Sequence, residues 1–285
     1  MACFTGTGIE GANDCLRAVG KEVARTLATS RIQSVDRAFL LLAQLAESRA
    51  GTSLPLIAER SGLCVATAHR LLATLESIGA VIRTGPGGYR IGMSIHDLTR
   101  GSCPEDLLTA AAQPVLRRLG ERSGLTVHVG VLSPDLMVTY VAKHQQPRTL
   151  SIQTRIGTQL EAYCSGLGKV LLAALPIEQQ HSYLADAPFV SLTANTVVDP
   201  ARLEAELHEV AARGYAIDDC ELYDGLRCVA VPIYGADGCV LAALSCSGPS
   251  QSIIREQIPQ MAALLEKAAE EIRRKLFPAA AARIQ

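Results

Sequence analysis

The sequence predicts an α+β chain: a winged helix-turn-helix over residues 31–94, a linker helix over 95–104, and a larger domain with a mostly antiparallel sheet over 105–285. Three observations predict this. Apolar residues recur at helical spacing in three short blocks between Val35 and Ile78, with turn residues between the blocks. A Gly-Pro-Gly-Gly turn then joins two β-type runs in AVIRTGPGGYRIG, a hairpin signal. Beyond Pro104, paired strand patterns mix with amphipathic helices, as in α+β domains.

The elements follow in order. Residues 1–30 are rich in Gly, Ala and Thr and are expected to form a flexible tail, although Leu16 to Leu27 has some helical character. Ser34 is placed to cap a first helix running to about Glu47, with an apolar stripe of Val35, Ala38, Phe39, Leu41, Leu42 and Leu45. Ser53 is placed to cap a second. The turn SGLC leads into a third helix over about Val65–Ser77, which Gly79 ends. Its Ala68, Leu71, Leu72, Leu75 and Ile78 form the expected buried face. Past the hairpin, Met93 to Leu98 reads as helical. Residues 105–122 read as an amphipathic helix interrupted near Pro114. TVHVGVLS and LMVTYVAK are strands around a Ser-Pro-Asp turn. Helices follow near Gly166–Leu175, from Ile177, and over Ala201–Arg213. YAIDD, LRCVAVPIY and CVLAALSCS are strands, the last two joined by Gly-Ala-Asp-Gly, and a final helix spans about Ile253–Leu276.

Hydrophobic residues make up 48% of the 285-residue chain and charged residues 19%, enough to bury a sizeable core and too apolar for overall disorder. The net charge of −1 is uninformative, but its distribution is not. Residues 31–100 carry eight arginines against five carboxylates, whereas residues 101–285 carry sixteen basic and twenty acidic side chains. A mildly basic front and an acidic back fit a nucleic-acid module followed by another function. The nine cysteines include no CxxC pair, and there is neither a signal-type apolar segment nor a membrane-length run. The expectation is a cytoplasmic chain with reduced thiols.

On the third helix, Thr67, Arg70 and Thr74 fall on a face apart from the apolar one, with His69 beside them. Short polar and Arg side chains of this kind read base edges from the major groove. Arg83 and Arg90 flank the hairpin turn and suit phosphate contact. In the second domain, CSGLGK opens a helix. Gly166 and Gly168 allow close backbone approach to a ligand, and free N–H groups at a helix start attract a carboxylate. Strand alternation puts Leu226, Cys228 and Ala230 on one face and Ser245 and Ser247 on one face, with Cys246 opposite. Asp218 ends the preceding strand, where it can accept a hydrogen bond.

The blocks SVDRAFLLLAQLAE, IAERSGLCVATAHRLLATLESIGAV, GGYRIG, RIGTQLEAYCSGLGKVLLAALP, GYAIDDCELYDGLRCVAVPI and AALSCSGP, in this order across roughly residues 31–275, resemble the IclR family of bacterial transcriptional regulators. The resemblance implies a GAF-like effector-binding domain and a DNA-binding regulator, not an enzyme, that works without a cofactor. A single winged helix buries little surface and reads few bases, so a homodimer, or a tetramer made of two dimers, is expected on double-stranded operator DNA. The resemblance implies an effector among small carboxylates (glyoxylate-like, sugar or aromatic acids), and a catabolic operon under control, repression being the expected sense. The effector positions it implies are Gly166, Leu167, Asp218, Leu226, Cys228, Ser245 and Ser247. The family often has Pro-Lys-Ser where this chain has Cys64, Val65 and Ala66, which shifts weight onto Thr67 and Arg70. It often has His where this chain has Tyr163, a change expected to alter the pocket. Arg155 is a further candidate carboxylate partner, although a structural role is the expected one.

Two readings from other classes compete. A thiol-dependent enzyme would use Cys164 or Cys228 with His128 as base, yet neither Cys sits in a recognised motif. A metal-sensing regulator would draw on Cys164, Cys220, Cys228 or His128, whose spacings match no common structural zinc pattern.

Overall fold

A computed structural model describes residues 32–48, 50–85, 87–145, 154–186 and 188–278. The expected tail, 1–30, lies outside the described residues. Internal contacts divide the chain into two units, after Gly101.

The first unit holds α1 (Gln33–Ala46), β1 (Thr52–Ser53), α2 (Leu54–Ser61), α3 (Val65–Ser77), β2 (Val81–Thr84), β3 (Gly88–Ile91) and α4 (Met93–Thr99). Leu41 and Leu45 of α1, Ile57 of α2, Leu72 and Leu75 of α3 and Val81 and Tyr89 of the hairpin close one core. The hairpin pairs Val81 with Ile91 and Thr84 with Gly88. The unexpected β1 adds a third strand through Thr52 and Tyr89. Ser34 caps nothing: it lies inside α1, which starts from Ile32 without a side-chain cap. Ser53 stands at the N-cap of α2 but makes no cap bond, its backbone being part of β1. Ile78, expected in the core, follows the end of α3 and is 62% exposed.

The second unit holds α5 (Pro104–Ser123), β4 (Thr126–Leu132), β5 (Val138–His144), β6 (Gln159–Leu160), α6 (Gly166–Ala173), α7 (Ile177–Ala185), α8 (Pro200–Arg213), β7 (Ala216–Asp219), β8 (Leu226–Tyr234), β9 (Val240–Pro249), a 3₁₀ turn (Arg255–Gln257) and α9 (Ile258–Leu276). Its strands form one antiparallel sheet, β6-β5-β4-β9-β8-β7. One face packs on α5 and α9 through residues such as Leu116, Val127, Val229, Leu244, Cys246 and Leu265. The other carries α6 and α8 through Leu167, Leu171, Leu203, Leu207 and Ala230. The sheet is thus covered on both faces, which explains its long apolar strands.

The expected break near Pro114 does not occur; α5 is continuous. Pro114 and Ala110, whose carbonyl loses its helical partner, both lie on the exposed side, where water replaces the missing bond. The final helix starts at Ile258, not Ile253, because Pro259 suits a first turn and the segment before it tightens to 3₁₀.

Candidate functional site

In the first unit, α3 packs Ala68, Leu72 and Leu75 inward and turns Ala66, His69, Arg70, Ala73 and Ser77 outward. Arg70 makes no ion pair among the described residues and is exposed, as is His69. The hydroxyls beside them are engaged locally. Thr67 Oγ1 lies 3.0 Å from Cys64 Sγ, and Thr74 Oγ1 donates to the Arg70 carbonyl at 3.0 Å. Thr74 also lines an apolar hollow of about 730 Å³ together with Val35, Phe39, Leu71, Ile78 and Leu98. On the hairpin, Arg83 pairs with Glu76 at 3.1 Å and lies over the Tyr89 ring, while Arg90 is exposed and makes no ion pair among the described residues.

In the second unit, the sheet register builds two rows on the α6 side. Asp218 pairs with Cys228, Cys228 with Ser247, and Ser247 with Thr126. Ala230 pairs with Ser245, and Ser245 with His128. Over these rows sits the start of α6. Together they enclose a narrow cavity of about 20 Å³, lined by all seven residues expected from the sequence: Gly166, Leu167, Asp218, Leu226, Cys228, Ser245 and Ser247. Ser165 caps α6, accepting from Gly168 N at 3.1 Å, and its carbonyl accepts from Lys169 N. The N–H groups of Gly166 and Leu167 are left at the helix start with no partner among the described residues.

Gly168 acts differently from expectation. A Cβ on Gly168 would lie 2.2 Å from the Ala162 carbonyl oxygen, so Gly168 lets two stretches of chain meet and does not admit a ligand. Gly166 brings the helix start onto the sheet: its Cβ position is 3.2 Å from Cys228 Sγ and 3.7 Å from Asp218 N. Tyr163 does not line the cavity; it donates to the Val190 carbonyl at 2.7 Å and stacks on Phe189. Arg155 is exposed and outside the lining.

Sequence reasoning missed part of the lining. Tyr140, Thr154, Ser165 and Leu222 contribute, and His128 enters as a wall residue. His128 Nε2 shares a 2.8 Å hydrogen bond with Thr154 Oγ1, and its ring lies 4.6 Å from that of Tyr140. Burial, and then the charge of Lys143, push its pKa down to about 3, so it is neutral at physiological pH. Thr126, next to Ser247, is fully buried, and its hydroxyl has no partner among the described residues.

Lys169 was also missed. Its side chain is wholly buried, and its Nζ donates to Glu221 at 2.6 Å, to Glu206 at 2.7 Å and to the Ile217 carbonyl at 3.3 Å. Cys220 adopts φ 63°, turning the chain back so that Glu221 N donates to Asp218 Oδ1 at 2.8 Å. Leu222 N donates to the same oxygen at 3.3 Å. Burial foremost holds the Asp218 carboxyl up at about 7.

The thiols do not suit nucleophilic chemistry. Burial pushes Cys164 up to about 12, and pushes Cys228 up as well, so both stay protonated. Among the described residues no His, Cys, Asp and Glu side chains gather in threes as a metal would need. No helix among the described residues is long and apolar enough to cross a membrane.

The geometry agrees with what the chain is similar to. Residues 105–274 match the family described as "Bacterial transcriptional regulator IclR C-terminal", and residues 34–85 match the "IclR helix-turn-helix domain". The chain belongs to the IclR family. It is 35% identical to the acetate operon repressor of Salmonella typhimurium over 257 residues, covering 89% of this chain and 94% of that protein. It is 34% identical to the transcriptional repressor IclR of Escherichia coli, covering 88% and 92%. Among solved structures, IclR of Thermotoga maritima superposes with a TM-score of 0.57 at 28% identity, covering 86% of this chain and 99% of that one. An IclR homolog from Microbacterium hydrocarbonoxydans, complexed with 4-hydroxybenzoate, gives 0.57 at 26% identity over 86% and 100%. As an IclR-family member the chain is a transcriptional regulator and not an enzyme, with a helix-turn-helix domain and an effector-binding domain.

Proposed function

We propose that this chain represses a catabolic operon in the cytoplasm and that a small carboxylate, bound in the α6 pocket, changes its hold on operator DNA. The observation that carries this reading is the pairing of two N–H groups, on Gly166 and Leu167, that have no partner among the described residues, with two nearly buried serines on β9. Such donors bind an anion without a formal charge and therefore reversibly. The cavity is narrow, and the half-buried Leu222 and Leu226 must give way for anything as large as an aromatic ring. The smallest acids fit with the least displacement.

On DNA, Arg70 and His69 of α3 face the major groove, with Thr67 at the edge of that face. Arg83 and Arg90 of the hairpin meet phosphates. Thr74 faces the apolar hollow more than the groove. A second copy of the chain covers that hollow: Phe39 is 69% exposed and Leu98 79%, a patch that a monomer would leave in water. Dimers of this kind read two half-sites, and pairing of dimers gives a tetramer.

Titration of labelled DNA from upstream of the chain's own gene tests this. Binding saturates at about two chains, or a multiple of two, per pseudo-palindromic site. One of glyoxylate, gluconate or benzoate shifts the midpoint, because an effector acts only through different affinities for the two states. Saturation at one chain per site contradicts the dimer, and a midpoint indifferent to every acid contradicts the control.

A further inference from the structure

The start of α6 and Asp218 lie at the same end of the pocket. With a carboxylate seated on the helix start, the sequence reading sets Asp218 at the far end of the ligand, on a hydroxyl or a protonated group, because a second carboxylate beside it would be repelled. The structure places its backbone N 3.7 Å from the Cβ position of Gly166, the first residue with a free N–H. Its side chain is 2% exposed and lines the cavity. Oδ1 takes the N–H groups of Glu221 and Leu222, whereas Oδ2 makes no hydrogen bond among the described residues. An acid docked on the helix start would set its carboxylate beside this carboxyl. Two ionised carboxylates cannot share so small and buried a space.

We propose that the pocket takes up one proton with its ligand, carried on Asp218 Oδ2, which then donates a hydrogen bond to the ligand's carboxylate. This rests on the carboxylate reading above. The balance is simple: ligand anion, ionised Asp218 and one proton from solvent give a ligand anion hydrogen-bonded to neutral Asp218.

The surrounding charges favour this arrangement. From α6, Lys169 is the nearest cation, but its Nζ is held by Glu206 of α8 and by Glu221. With two carboxyl groups already on it, that lysine offers a second anion no compensation. From β8 comes the Cys228 thiol, neutral, and from the loop before α6 the Cys164 thiol, also neutral. From β4 and β5 come neutral His128 and Tyr140, whose phenol burial keeps protonated. Lys143 donates to the Thr154 carbonyl, on the His128 side. Tyr223, on the loop after β7, is half exposed. The Asp218 carboxyl stands near 7 before any anion arrives, and an anion beside it raises the value further. Affinity is then flat with pH below about 6 and falls by up to about tenfold per pH unit above about 7.5.

Titration calorimetry of the full chain with glyoxylate, gluconate and benzoate, which do not titrate between pH 6 and pH 9, tests this. Each run uses two buffers of different ionisation enthalpy, so the buffer dependence counts protons. The expected count for the acid that binds is about one at pH 8.5 and near zero at pH 5.5. Asp218→Asn keeps an acceptor for the Glu221 and Leu222 N–H groups, and it binds the same acid with no proton uptake at either pH. Binding without proton uptake at pH 8.5 overturns the proposal and leaves the carboxylate pocket standing. Uptake that persists in Asp218→Asn moves the proton to another group, His128 foremost, and overturns it too. Failure of all three acids to bind removes the carboxylate reading itself.

Discussion

Lys169→Met lowers the folding stability of the second unit by about 3–5 kcal/mol, the range for breaking a buried ion pair from one side. Methionine keeps the length of the stem, so the loss is electrostatic and not a cavity. Glu221 is left almost wholly buried beside Glu206, with only the Asp219 N–H on its carboxylate among the described residues. Burial already raises its pKa, against the pull of Lys169, and removing the lysine raises it more. A raised carboxylate contributes stability below its unfolded pKa and loses it as pH rises through the folded one. The deficit of the variant is therefore small near pH 4 and grows towards pH 8. Urea unfolding at both values measures it, with an unchanged slope showing that the unfolded state is the same. A loss below about 1 kcal/mol at pH 8 would mean that water reaches this cluster. Lys169→Met with Glu206→Gln and Glu221→Gln together restores much of the stability, because no charge is then stranded.

Arg70→Ala weakens operator binding by about 1–3 kcal/mol and relaxes specificity at one base pair in each half-site. The guanidinium stands outward from α3 without an ion pair among the described residues, so its removal disturbs no core. Arg90→Ala is the contrast. It weakens specific and unrelated DNA about equally and flattens the salt dependence by about one unit of slope, as a phosphate contact does. Anisotropy titrations of both variants at several salt concentrations separate the roles. If Arg70→Ala leaves discrimination intact, another part of α3, centred on Ala66 and His69, reads the bases.

Much of this architecture is legible in the sequence because it is local. Helix α3 spans Val65–Ser77, as its apolar period and Gly79 indicate. The serine rows follow from strand alternation alone, and the register puts Cys228 opposite Ser247. What escaped is non-local. The strands β1 and β6 are two residues each and exist only by pairing with a neighbour. The lysine within the apolar helix GLGKVLLA was a visible signal, but its partners lie 37 and 52 residues away. The loop that folds Glu221 onto Asp218 depends on a left-handed Cys220, which no pattern announces. Ile78 reads as core and Phe39 as part of an apolar stripe because helical periodicity marks an apolar face without saying what covers it.

The proposed effector site lies between the start of α6 and the serines of β9. Calorimetry of the full chain against whichever of glyoxylate, gluconate and benzoate binds, with Ser245→Ala and Ser247→Ala combined, tests it most directly. Each lost hydrogen bond to a charged group is worth about 1.5–3 kcal/mol, so affinity drops by about 100-fold or more. The double variant still folds and still binds operator DNA without the acid, since the serines lie in the second unit, outside the helix-turn-helix. Unchanged affinity for the acid in a folded double variant would place the effector elsewhere and rule out the serines of β9 as its donors.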